Sequence, residues 1–166
     1  MNLAGLLRRG RGPLLKKATE NSELTTTLHL GLRSVVGASP ENAIDALLTS
    51  MDSQSSSAIK AIIEGNGDRA MVVIHRGPAK GARFLIAEDK CSIGRSPMSA
   101  IFLDDVTVSR AHAQISKTGK GFELLDLGSL NGTYVNNNSV NSVELKTGDE
   151  IQVGKFHLIF IKSKNN

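Results

Sequence analysis

The sequence has no tryptophan, one tyrosine and five phenylalanines, and a single cysteine among its 166 residues. With aromatics at 4%, aliphatic side chains must fill whatever core the chain builds. The lone Cys91 excludes an internal disulfide and any multi-cysteine metal cluster. A reducing, cytoplasmic setting is the expectation that follows. Long apolar runs are missing as well. No stretch approaches the ~20 residues that span a bilayer, and Leu3-Ala4-Gly5-Leu6-Leu7 is too short for the core of a secretory signal. A soluble, untargeted chain without a membrane partner is expected.

Charge is present but unevenly placed. The net +4 conceals a leader, residues 1–17, with five Lys/Arg and no acid, followed by residues 18–67 with two basic and six acidic groups. Arg8, Arg9 and Arg11 would give salt-sensitive contact with nucleic acid. No nucleic-acid motif or aromatic interleaving accompanies them, so a solvated basic end is the preferred reading.

Residues 1–69 lack sustained periodicity and are expected to form a largely disordered regulatory segment with short helical pieces. One piece begins at Ser39-Pro40-Glu41, which suits an N-cap, a first-turn proline and an early acid, and continues through Ile44, Leu47 and Leu48 on one face. A second covers Ala58 to Glu64. Neither reaches the roughly 12–15 residues at which an isolated helix becomes marginal in water. The tract Glu23-Leu24-Thr25-Thr26-Thr27-Leu28 places hydroxyls between an acid and apolar residues, as a kinase substrate requires. Phosphorylation there would add about −1.5 to −2 of charge and three strong acceptors.

From Ala70 to Lys162 the pattern changes. About ten short apolar or alternating runs, from Met71-Val72-Val73-Ile74 to Phe156–Ile161, are punctuated by Gly, Asn and Asp. This spacing predicts an all-β sandwich, whose loops cluster at its two ends. Three clusters fall at breaks between runs: Gly94-Arg95-Ser96, Ser109-Arg110-Ala111-His112 and Ser129-Leu130-Asn131-Gly132-Thr133. Arg95 offers a planar fork of donors for phosphate oxygens, and Arg110 adds a second cation. Ser109 supplies a hydroxyl and, as expected here, a backbone N–H toward the same ligand. Asn131 combines a donor and an acceptor suited to an extended peptide backbone. Gly94 and Gly132 are assigned to backbone geometry, and His112 to support of the loop rather than contact with ligand. Leu130 is placed at the ligand surface, and Thr133 suits either role.

Catalysis is not expected. Ser109 and His112 sit outside a Gly-x-Ser-x-Gly elbow, and no acid is indicated to orient the histidine. The four histidines, at 29, 75, 112 and 157, have no metal-ligand spacing, so neither metal nor cofactor is expected.

The ordered set Gly94-Arg95, Ser109-x-x-His112 and Ser129-x-Asn131-Gly132 resembles the signature of the forkhead-associated (FHA) domain, with Leu145-x-x-Gly148-Asp149 and Ile151-x-x-Gly154 fitting downstream. The resemblance implies a sandwich of about eleven strands whose loops at one end bind phosphothreonine peptides. It assigns the ligand contacts to Arg95, Ser96, Ser109, Arg110, Leu130, Asn131 and Thr133. Leu130 departs from the family, where other members carry a polar residue. A narrower resemblance, carried by Arg76-Gly77-Pro78, Gly81-x-Arg83-Phe84-Leu85, Ile101 to Arg110 and Gly154-Lys155-Phe156, is to the actinobacterial oxoglutarate dehydrogenase inhibitors, known in mycobacteria as glycogen accumulation regulators. It implies a regulator that restrains 2-oxoglutarate dehydrogenase and glutamate dehydrogenase when unphosphorylated. A serine/threonine kinase would modify Thr25, Thr26 or Thr27, and the domain would then bind its own phosphorylated tail. The family pattern has Glu-Thr-Thr-Ser where this chain has Glu23-Leu24-Thr25-Thr26-Thr27, and Thr26 is the favoured acceptor. The basic leader lies outside that pattern. The competing expectation is a general phosphothreonine adaptor in another kinase pathway.

Overall fold

Eleven strands alternate between two sheets of a computed structural model that describes residues 40–65 and 69–164. The basic leader, the Ser39 cap and the candidate acceptors Thr25, Thr26 and Thr27 lie outside the described residues. One sheet has the order β2-β1-β11-β10-β7-β8, the other β4-β3-β5-β6-β9. The strands are β1 (Ala70–Arg76), β2 (Arg83–Ile86), β3 (Lys90–Gly94), β4 (Ile101–Phe102), β5 (Ala113–Thr118) and β6 (Gly121–Asp126). They continue as β7 (Thr133–Val135), β8 (Asn138–Val140), β9 (Ser142–Leu145), β10 (Glu150–Val153) and β11 (Phe156–Lys162). The sandwich expected from the sequence is present. The strand that the apolar runs do not reveal is β8, which is polar and joined to β7 through Asn136 and Asn137. Both asparagines have positive φ, 50° and 66°, the geometry of a tight two-residue hairpin turn.

Alternation along the strands divides the apolar residues between two clusters. Ala70, Val72 and Ile74 of β1 and Phe156, Leu158 and Phe160 of β11 face the space between the sheets, where Ile93, Ile115, Leu124 and Ile151 meet them. Met71 and Val73 of β1 and Ile159 and Ile161 of β11 face the other way. Strands whose two faces are both apolar need cover on both sides.

The cover is a pair of helices, α1 (Pro40–Ser50) and α2 (Ser53–Ile63). Leu47 of α1 and Ile59 and Ile62 of α2 are buried against the outer face of β1 and β11. Each such burial contributes about 1.5–3 kcal/mol, which is how helices too short to stand alone persist here. The second helix starts earlier than Ala58. Asp52 caps it, accepting hydrogen bonds from the Ser55 N–H at 2.8 Å and the Ser55 hydroxyl at 2.6 Å. The serines at 53–57 therefore form its first turns. Its C-terminal end is tied down by the Lys164 N–H, which donates to the Ile63 carbonyl at 3.2 Å. Among the described residues no helix is long and apolar enough to cross a membrane.

If the helical pair is part of the folding unit, Ile59→Ala should lower the stability of the whole chain by about 2–5 kcal/mol. Urea unfolding followed by strand-sensitive circular dichroism reads this directly. An unchanged midpoint would mean that the helices rest on the sheet without contributing to it.

Candidate phosphopeptide-binding site

Three connections converge at one end of the sandwich: residues 95–100 between β3 and β4, 103–112 between β4 and β5, and 127–132 between β6 and β7. Their meeting point is His112, which is fully buried at 0% exposure. The Ser109 N–H donates to His112 Nδ1 at 3.1 Å. Nδ1 is therefore the unprotonated nitrogen, and Nε2 carries the proton that it donates to the Gly132 carbonyl at 3.1 Å. The His112 N–H donates to the Ile93 carbonyl at 2.9 Å. The neutral ring ties two loops together, and the backbone of the same residue ties them to β3. This corrects one expectation: the Ser109 N–H is spent inside the loop and is not offered to a ligand.

Gly94 allows the first loop to close on the second. A Cβ there would collide with the Arg110 carbonyl oxygen and come within 2.9 Å of its carbon, so the close approach requires glycine. The Arg95 N–H donates to the Ser109 carbonyl at 2.9 Å and the Ser96 N–H to the Arg110 carbonyl at 3.2 Å. The Arg95 side chain is exposed, and its Nε donates to the Val108 carbonyl at 3.2 Å. That bond aims the guanidinium and leaves its two Nη groups without a hydrogen bond among the described residues. Arg110 is exposed beside it, and Arg95, Ser96, Phe102, Asp104 and Arg110 line one open depression.

The third loop completes the surface. The Leu130 N–H donates to the Ser109 hydroxyl oxygen at 3.0 Å, which leaves that hydroxyl's proton to be donated outward. Asn131 Nδ2 donates to the Thr107 carbonyl at 2.8 Å. Asn131 is exposed, and its Oδ1 has no partner among the described residues. Gly132 has φ +75°, a conformation that favours glycine. Leu130 is 89% exposed on the same loop.

Thr133 has to be withdrawn from the ligand contacts. It is fully buried, and its hydroxyl donates to Asp126 Oδ2 at 2.6 Å. On a strand, successive residues point to opposite faces, and β7 turns Thr133 and Val135 inward. Asp126 is a residue that the sequence reading missed. It also accepts from the Gly128 and Ser129 N–H groups, each at 2.9 Å, and from the Ser129 hydroxyl at 2.6 Å. Desolvation pushes its carboxyl pKa up, but the donors from Ser129, Thr133 and Gly128 outweigh it, and the net shift is downward. Asp105 plays the equivalent part in the second loop. It accepts from the Thr107 N–H at 2.8 Å and hydroxyl at 2.6 Å, and Lys155 Nζ lies 3.2 Å away. The Thr107 bonds chiefly, with help from Lys155, hold its pKa down at about 2.

Two consequences can be measured. His112→Leu would orphan a donor and an acceptor in the interior, each costing about 1–3 kcal/mol, so chemical unfolding should move to lower denaturant and phosphopeptide affinity should fall with it. For Asp105, a depressed folded-state pKa means that its contribution is present above 3.8 and is lost as pH falls toward about 2. The Thr107 and Asn131 amide signals should stay in place at neutral pH and move together only within that acid window. Loss of the loop's order at a higher pH would contradict the assignment of Asp105 as its anchor.

Comparison with known proteins places this arrangement. The FHA domain family model matches residues 91–154. The chain is 50% identical over 107 residues to the oxoglutarate dehydrogenase inhibitor of Corynebacterium jeikeium, a match covering 64% of this chain and 72% of that protein. It is 46% identical over 120 residues to the glycogen accumulation regulator GarA of Mycolicibacterium smegmatis, covering 72% of this chain and 74% of the relative. Among solved structures, a domain studied for phosphothreonine-dependent FHA interactions superposes with a TM-score of 0.52 at 32% identity, covering 56% of this chain and 95% of that one. Its relatives are named as inhibitor and regulator, which fits a binding protein better than an enzyme. The chain belongs to the FHA-domain family that includes the oxoglutarate dehydrogenase inhibitors and the glycogen accumulation regulators.

Proposed function

We propose that this chain is a phosphothreonine-peptide-binding regulator that binds and restrains 2-oxoglutarate-using enzymes when unphosphorylated, and that phosphorylation of its own N-terminal segment turns it off. One observation carries the binding half. The guanidinium groups of Arg95 and Arg110, the Ser109 hydroxyl and the Asn131 amide are carried on loops already locked to one another by hydrogen bonds, and both arginines line one depression. A dianionic phosphate would take the two cations and the hydroxyl, while Asn131 Oδ1 accepts from the peptide backbone. Recognition of phosphorylated peptides by such arginine-centred sites is a recurring mode. Preformed donors spare the ligand the cost of ordering them.

The names of the relatives support the choice of target, since one of them is an inhibitor named for oxoglutarate dehydrogenase. Glutamate dehydrogenase, which handles the same 2-oxo acid, is the second target in this reading. The acceptor for a serine/threonine kinase is Thr26, with Thr25 and Thr27 beside it. We further take residues 70–162 as the recognition domain and the residues before them as regulatory.

The helices change the physics of the switch. Treated as free chain from Thr27 to Ala70, the tether would have an r.m.s. reach of roughly 35–40 Å. With α1 beginning at Pro40, the tether shortens to residues 28–39. A coil of that length reaches about 20 Å on average and roughly 40 Å fully extended. Where that span covers the path from α1 to the loop end, the effective concentration of a phosphorylated tail is up to the order of mM. A phosphopeptide of modest intrinsic affinity would then occupy its own site most of the time.

The test is a pull-down of 2-oxoglutarate dehydrogenase and glutamate dehydrogenase with the full chain before and after kinase treatment. Capture by the unphosphorylated chain and release on phosphorylation support the reading. Capture of neither enzyme would reduce it to a plain phosphothreonine adaptor. Arg95→Ala should weaken phosphothreonine-peptide binding by about 1.5–3 kcal/mol, which is roughly ten- to a hundredfold. In the phosphorylated chain the same change should restore enzyme capture. If it does not, self-binding is not the switch.

A further inference from the structure

On the outer face of the six-stranded sheet, the apolar surface under the helices gives way to a polar cluster. His75 of β1, His157 of β11 and Glu150 of β10 stand there on three adjacent strands, because β1 pairs with β11 and β11 with β10. One ligand atom from each lies within 4.8 Å of the other two. Glu150 bridges the rings: its Oε2 is 2.7 Å from His75 Nε2, and its Oε1 is 2.9 Å from His157 Nδ1. The side chains of His75, Glu150 and His157 are 27%, 25% and 15% exposed, so the cluster is open on one side.

We propose that His75, Glu150 and His157 form a binding site for a divalent first-row transition ion of the Zn2+ type, with a coordination position left open to solvent. The donor set fits, since two imidazole nitrogens and one carboxylate suit this class of ion and not Mg2+ or Ca2+. The spacing fits too. Donors held at about 2.0–2.2 Å from a tetrahedral ion stand roughly 3.4 Å from one another; the two Glu150–histidine pairs are slightly closer than that and all three ligand atoms lie within 4.8 Å of one another, so side-chain rotation is enough to gather them. Strands fix the Cα positions, and Glu150 is further braced by Asn136. The Asn136 N–H donates to the Glu150 carbonyl at 2.9 Å, and Asn136 Oδ1 accepts from the Glu150 N–H at 3.0 Å.

A cation already stands beside His157. Its Nδ1 lies 2.8 Å from Arg76 Nη2 and 2.9 Å from Glu150 Oε1. Arginine offers only protons and the carboxylate only lone pairs, and one ring nitrogen carries either a proton or a lone pair. Nδ1 can satisfy one of them and not both; with its proton given to the carboxylate, the guanidinium is left to Nε2 at 3.2 Å. Arg76 is 54% exposed and reaches Glu150 Oε1 at 3.5 Å, so it holds the position of a cation while making poor use of it. An ion bound to the two rings and the carboxylate would accept all three lone pairs and release the guanidinium to solvent.

The histidines are 82 residues apart in the chain, which is why their spacing indicates no ligand set. Pairing of the first and last strands of the sandwich brings them together.

The test uses the full chain stripped with EDTA and titrated with ZnCl2, followed by calorimetry and by NMR of the histidine ring protons. One ion per chain should bind, with the His75 and His157 signals shifting and those of buried His112 unmoved. The double variant His75→Gln/His157→Gln should lose roughly tenfold or more in affinity. Arg76→Gln should bind Zn2+ more tightly, because it removes a competing cation. A purely structural network of ion pairs would give no such gain. Absence of binding at a large excess of Zn2+ would overturn the proposal. So would binding that the double variant retains, or weaker binding by Arg76→Gln. Retained phosphopeptide binding by each variant verifies that the fold is intact.

Discussion

The imidazole of His112, buried and neutral, accepts a hydrogen bond from the Ser109 N–H on one side and donates one to the Gly132 carbonyl on the other. Neither bond touches a ligand, yet both fix where ligand-facing groups stand. Ser109 turns its hydroxyl outward because its N–H is held inward. Gly132 is anchored next to Asn131, whose amide crosses to the Thr107 carbonyl. The Arg110 carbonyl, packed where only glycine can stand at position 94, fixes the first loop against the second. The charged groups therefore stand on a frame that is finished before any ligand arrives, and buried polar networks of this kind hold shape only when every member is satisfied. That condition is met: no buried side-chain polar atom among the described residues lacks a partner.

The second constraint is the apolar outer face of β1 and β11. An exposed patch built from Met71, Val73, Ile159 and Ile161 would invite association. The two helices cover it, and the first of them begins at Pro40, about a dozen residues after the candidate phosphothreonines. In the proposed switch, stability and regulation would be linked through one packing contact. Whatever loosens the helices lengthens the tether, and a longer tether lowers the effective concentration of the tail once its length exceeds the span.

Much of this was legible in the sequence, and the misses have physical reasons. Arg95, Ser109 and Asn131 were singled out because their chemistry suits a phosphopeptide wherever the loops place them, and the structure brings their loops together at one end of the sandwich. Thr133 could not be placed correctly, since adjacency in a motif does not say which face of a three-residue strand a side chain takes. Asp126 was missed because one acid in an alternating run says nothing of the hydroxyls it will hold. The signal that it turns the chain was Asp126-Leu127-Gly128-Ser129, an acid followed by glycine and serine at positions that can donate back to it. The helices were recognised only as fragments, because the serines at 53–57 suggest loop. The clue was the uninterrupted apolar run of β1, which a half-exposed strand would not show. His75 and His157 were separated by sequence distance that strand pairing removes.

The central claim is that the loop end recognises phosphothreonine through Arg95, Ser109, Arg110 and Asn131. It is tested most directly by titrating the isotopically labelled chain with one short peptide in threonine and phosphothreonine forms. The account predicts saturable shifts of the Arg95 and Arg110 side-chain N–H signals, the Ser109 region and the Asn131 amide with the phosphorylated peptide alone. Equal shifts with both peptides, or shifts confined to another face of the sandwich, would contradict it.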